Sequence, residues 1–144
     1  MSRFDREREL GTLQLTLEQF LNELVLLMKQ DYPRQLQRMI ADVGGVVWLQ
    51  ILDNETTLIQ VTKNDIIIGG ESSRKKVDVK ISLSREFLFD LLEGRLSLDQ
   101  ALQTNKLGVV GEPAMLLKCY RIFEQILRLS RLSPRFYFLT YQLR

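Results

Sequence analysis

Apolar residues recur along this chain with two different periods, and the change of period divides it into a helical start, a β-rich middle and a largely helical end. Leu17, Phe20, Leu21, Leu24, Leu27 and Met28 fall at helical spacing and predict one apolar helix face. Thr16 followed by Gln19 forms a capping box, in which the hydroxyl and the amide satisfy the unpaired N–H groups of the first turn. Pro33 suits the first turn of a second, shorter helix carrying Leu36, Met39 and Ile40 and ending before Gly44-Gly45. From Val46 onward the segments 46–52, 56–62, 66–69 and 77–83 are short and rich in β-branched residues. Turn-forming residues separate them at Asp53-Asn54-Glu55, Lys63-Asn64-Asp65 and Gly70-Glu71-Ser72-Ser73. This pattern predicts consecutive antiparallel strands joined by tight hairpins. In the last of them Val77, Val79, Ile81 and Leu83 alternate with Asp78, Lys80 and Ser82, which gives one dry and one wet face.

Helical spacing returns after Ser84, an N-cap residue, with Phe87, Leu88, Leu91 and Leu92, and Gly94 stands where a helix stops. Ser97 and Gln100 form a second capping box for a short helix with Leu98, Ala101 and Leu102. Residues 107–111 read as one more strand, and Pro113 opens a long helix reaching about Ser130. The tail beyond it crowds Phe136, Tyr137, Phe138 and Tyr141 together, and such an apolar patch is seldom left in water. Folding back as a lid, adding an edge strand and mediating dimerisation all satisfy it. The expected class is α+β: an antiparallel (mixed) sheet of about five strands covered by helices. With 144 residues and no internal repeat, the expectation is a single domain over 1–144, with an N-terminal helical extension (1–31) and an aromatic C-terminal tail (132–144).

The second half carries a more specific pattern. A strand leads into a helix closing on Leu92-Glu93-Gly94, a short helix bears Ala101, and Lys106-Leu107-Gly108-Val109-Val110-Gly111 feeds the long helix containing Met115 to Leu127. This resembles the type-two sterol carrier domain, a sterol- and lipid-transfer family, with Asn105 where the family has glycine before the lysine. Asn tolerates the left-handed backbone that glycine supplies there. The resemblance covers nearly the whole chain in order of elements, and in detail only the second half. It implies an internal cavity for a sterol, fatty acyl chain or similar lipid. By spacing alone Phe87, Leu91, Leu102, Met115, Leu116, Tyr120, Phe123 and Leu127 are a filled core. The resemblance implies that they line that cavity, with Phe136 and Phe138 over it. An interaction or dimerisation module with a closed cavity, and an accessory domain presenting a lipophilic substrate to an enzyme, remain open beside this reading.

Composition removes more chemistry than the motifs add. Without histidine there is no Ser-His-Asp or Cys-His nucleophile system, and with the single Cys119 there is neither an internal disulfide nor an ordinary zinc site. The chain is therefore expected to be no enzyme and to need no cofactor. The net charge of +2 hides an uneven distribution, because residues 113–144 alone carry +5. Arg121, Arg128 and Arg131 share a helix stripe with Glu124, which suits transient contact with an anionic membrane surface. The cluster Arg74-Lys75-Lys76 lacks interleaved aromatics and is flanked by Glu71 and Asp78, so nucleic acid is not expected as a partner. The charged start lacks a signal peptide's apolar stretch, and the expected location is cytoplasmic.

Overall fold

The computed structural model describes residues 15–69 and 76–143. The expected turn at 70–73 and most of the Arg74-Lys75-Lys76 cluster lie outside the described residues. Two helices come first, α1 (Leu17–Asp31) and α2 (Pro33–Val43). Both halves of the Thr16–Gln19 capping box form: Gln19 N donates to Thr16 Oγ1 at 3.2 Å, and Thr16 N donates to Gln19 Oε1 at 2.9 Å. Strands β1 (Val46–Leu52), β2 (Glu55–Val61), β3 (Ile66–Ile68) and β4 (Val79–Leu83) follow. Next are α3 (Arg85–Leu92), α4 (Leu98–Gln103), strand β5 (Gly108–Gly111) and helix α5 (Pro113–Leu132). The chain closes with α6 (Pro134–Leu143).

The five strands form one mixed sheet in the order β3-β2-β1-β4-β5. The expectation of consecutive hairpins holds for β1 to β3 and fails at β4. That strand lies parallel to β1, with Trp48 opposite Val79 and Leu52 opposite Leu83. Period-two alternation fixes which face of β4 is dry but says nothing about its neighbour. The ladder alongside β1 is free on the side away from β2, and β4 fills it. Strand β5 then pairs antiparallel with β4. Its glycines let it lie close, since a Cβ on Gly111 would stand 2.7 Å from the Asp78 carbonyl oxygen.

Along β1, Val46, Trp48, Gln50 and Leu52 are buried while Val47, Leu49 and Ile51 are only half-buried, so the helices cover the Trp48 face. Leu17, Phe20, Leu24 and Met28 bring α1 into this core. The Ser97–Gln100 box caps α4 as expected, and Asn105 adopts φ 57°, the left-handed backbone for which glycine is the usual choice.

The tail is a helix, which removes the edge-strand alternative. Ser133 Oγ accepts from Phe136 N at 3.2 Å, and Pro134 occupies the first turn where its missing N–H costs nothing. Phe136 and Leu143 are wholly buried, whereas Tyr137, Phe138 and Tyr141 are 65–69% exposed. Arg85 holds the far end. Its Nη1 donates to the Leu143 carbonyl at 2.6 Å, and its Nη2 pairs with the Glu55 carboxylate, whose Oε1 accepts from Leu17 N at 3.1 Å. One guanidinium thus joins the β1–β2 turn, α3 and the end of α6, and through Glu55 the start of α1.

Candidate lipid-binding cleft

Between α4, α5 and strands β4 and β5 lies an apolar cleft of about 390 Å³. The sheet contributes Ile81 and Val109, the β5 approach Leu107, and α4 Leu98 and Leu102. Helix α5 contributes Pro113, Leu116, Leu117, Cys119, Tyr120 and Phe123. Among the described residues, no charged side chain lines it. Its volume falls within the range of small-molecule pockets. The partly exposed Leu102 and Leu117 mark its outer rim.

A second, smaller apolar space of about 50 Å³ lies between α1, the sheet, α5 and α6, bounded among others by Phe20, Trp48, Ile59, Leu127 and Phe136. Phe123 is the residue shared by the two linings. The one amide on the void wall, Gln50, accepts from Trp48 Nε1 at 3.3 Å and donates to the Ile81 carbonyl at 3.3 Å. It therefore presents no unpaired polar group to an apolar guest.

Of the residues anticipated from sequence, Leu102, Leu116, Tyr120 and Phe123 meet in the cleft, and Leu127 and Phe136 meet Phe123 around the void. Leu91 is wholly buried in the core away from either space, and Met115 packs on the core's margin. Phe87 lies beneath Lys106, whose Nζ stands 4.5 Å from the ring centroid. Phe138 points outward from α6 and meets Tyr137 edge to face at 6.4 Å, so it does not cover the cleft. The sheet residues Ile81 and Val109 and the approach residue Leu107 were not anticipated. A dry strand face looks the same in sequence whether it meets a core or a cavity.

Two groups in the cleft carry polar atoms of interest. The Cys119 thiol is buried, and burial first, then the nearby Asp78 charge, pushes its pKa up to about 12. At the rim Tyr120 donates its hydroxyl to Asp99 Oδ1 at 2.8 Å. That bond, followed by partial desolvation and the charges of Asp99 and Glu124, raises the phenol to about 12. Among the described residues no group of side chains is arranged to hold a metal ion. No described helix is long and apolar enough to cross a membrane.

A five-stranded mixed sheet packed with helices thus opens on an apolar cleft beside the long helix α5. The chain belongs to the SCP-2 sterol transfer family, whose model matches residues 21–124. Membership implies lipid binding or transfer. Solved structures share the fold. The "UbiJ-SCP2 Ubiquinone synthesis protein" matches with a TM-score of 0.57 at 15% identity, over 93% of this chain and 99% of that one. Sterol Carrier Protein 2 from Yarrowia lipolytica, in its apo form, gives 0.55 at 19% identity over 76% of this chain and 88% of that one. The sterol carrier protein domain 2 of Helicoverpa armigera gives 0.55 at 20% identity over 76% and 86%. No curated protein matches the chain.

Proposed function

We propose that this protein binds one apolar lipid by inserting its chain into the cleft between α4, β5 and α5, and that it carries or presents this lipid without chemistry of its own. The observation that carries the reading is the cleft itself: about 390 Å³ bounded by apolar side chains, with a second apolar space sharing Phe123 in its lining. Each methylene moved from water into such walls is worth about 0.8 kcal/mol, so affinity needs only length and dryness. An accessory role, presenting a lipophilic substrate to a separate enzyme, is supported by likeness in fold to a ubiquinone synthesis protein over nearly the full length of both chains. The exposed ridge of Tyr137, Phe138 and Tyr141, with Arg128, Arg131 and Arg135 nearby in sequence, suits transient contact with an anionic membrane during loading.

Native mass spectrometry before and after incubation with sterols, alcohols and fatty acids tests the reading. A stoichiometric adduct that is lost on organic extraction is the expected result. A mass that stays that of the bare chain with every lipid would defeat it. The same ridge favours a second reading, an interaction module that dimerises through α6. A dimer mass abolished by replacing Tyr137 and Tyr141 with Ser, with no lipid retained, would put that reading first.

A further inference from the structure

The cleft is apolar along its depth, but its rim is not electrically neutral. Tyr120 reaches the solvent edge with its hydroxyl, where it donates to Asp99 at 2.8 Å. Having spent its one proton on Asp99, the phenol turns only lone pairs outward. Asp99 makes no ion pair among the described residues, so its second oxygen and its full charge remain at the rim. Glu124 also acts on Tyr120, and its own partner Arg128 stands 3.8 Å away on the next turn. Every polar atom of the Tyr120–Asp99 pair that faces an incoming head group is therefore an acceptor. Basic side chains of the β5 approach and α5 are engaged elsewhere: Lys106 lies over the Phe87 ring, Lys118 donates to the Gly44 carbonyl at 3.2 Å, and Arg121 points to Asp42 at 3.4 Å.

We infer that the cleft selects apolar ligands whose polar end is an uncharged hydrogen-bond donor, an alcohol or phenol hydroxyl, held by the Tyr120–Asp99 pair, and disfavours carboxylate- and phosphate-headed lipids. The inference rests on the reading that the cleft takes a lipid chain. A hydroxyl supplies the donor that the rim lacks. A carboxylate brings a second negative charge beside Asp99 and no donor, so its head group is repelled while its chain is accepted.

Decan-1-ol and decanoate share a chain length and differ in the head group. Their dissociation constants are measured at pH 8 for the wild type, Asp99→Asn and Glu23→Gln. Both side chains are exposed, so neither substitution disturbs the core. The alcohol partitions better into any apolar space, so the diagnostic quantity is the change in the affinity ratio. Asp99→Asn should raise decanoate affinity relative to decan-1-ol by about fivefold, which corresponds to ~1 kcal/mol for unit charges about 4 Å apart in water. Glu23→Gln, on the first helix and away from the cleft, should leave the ratio unchanged. Raising salt to about 1 M, where the Debye length is about 3 Å, should narrow the wild-type gap and leave the Asp99→Asn ratio nearly fixed. An equal ratio in wild type and Asp99→Asn, with both ligands bound, would overturn the head-group inference and leave lipid binding standing. Failure of the wild type to bind either ligand would overturn both.

Discussion

Removing the Phe123 ring should join the cleft to the void and lengthen the chain this protein prefers. Phe123 lines both the cleft and the second apolar space, which offers about 50 Å³ of unfilled volume. A water occupies about 30 Å³ of liquid, and a methylene is of similar size, so that space alone admits one or two more carbons. At about 0.8 kcal/mol each, two methylenes are worth ~1.6 kcal/mol, or roughly fifteenfold in affinity. In Phe123→Ala the optimum in a series of n-alkan-1-ols should therefore move up by at least two carbons, with shorter members bound about as before. The ring is only half-buried, so the loss of stability should be about 2 kcal/mol, below the 3–5 kcal/mol typical of a fully buried phenylalanine. Trp48, the only tryptophan, lines the void and supplies an internal reporter. An alkanol brominated at its far end should quench Trp48 strongly in the variant and weakly in the wild type, where Phe123 keeps the bromine away. An unchanged length optimum together with equal quenching in both proteins would show that cleft and void are not one path.

The two phenylalanines of α6 should behave as opposites in urea denaturation. Phe136→Ala should cost about 3–5 kcal/mol and Phe138→Ala less than about 0.5 kcal/mol, and comparable losses would contradict the placement of α6. Thr57 buries a hydroxyl with no partner among the described residues, so the isosteric Thr57→Val should stabilise the fold by about 1 kcal/mol, and a loss of stability would imply a missed acceptor. Cys119 should resist iodoacetamide at pH 8 in the folded protein and react at the rate of a free thiol once unfolded. Its pKa is raised on folding, from 9.0 to about 12, so its contribution is intact below pH 9.0 and is lost as the pH rises toward 12. Over that range the wild type should therefore lose stability faster than Cys119→Ala, and parallel curves would argue against a buried thiol.

Much of the fold was legible because its signals are local. The capping boxes at Thr16 and Ser97 need only a hydroxyl and an amide three residues apart, and both form as read. Asn105 announced its left-handed backbone by standing where glycine is usual. Strand β4 was legible in face and illegible in neighbour, because pairing beside β1 depends on a crossover that leaves no mark in the alternation. The tail helix was missed although Ser133-Pro134 is a helix start, with Phe136, Leu139, Thr140 and Leu143 on one face. The exposed aromatics between them fill the polar positions and blur the period. For the cleft, helical spacing read Leu116, Tyr120 and Phe123 as filled core; the resemblance offered them as lining, but equally offered Leu91 and Met115. Whether an apolar residue meets another residue or empty space depends on all surrounding elements at once, and no single segment encodes that.

The Arg85 clamp bears on how cargo would travel. Leu143 is tied to Arg85 and Phe136 lines the inner apolar space, so the helix beside that space is fastened at its far end. If the proposed reading holds, a guest entering at the Tyr120 rim would leave by the same door, tail last, with its head group outermost throughout. Such a sleeve would keep the head group accessible to an enzyme while the chain stays dry. It would also make delivery a matter of waiting for spontaneous release, so the rate of transfer should be set by the protein and its guest and be indifferent to the concentration of the acceptor.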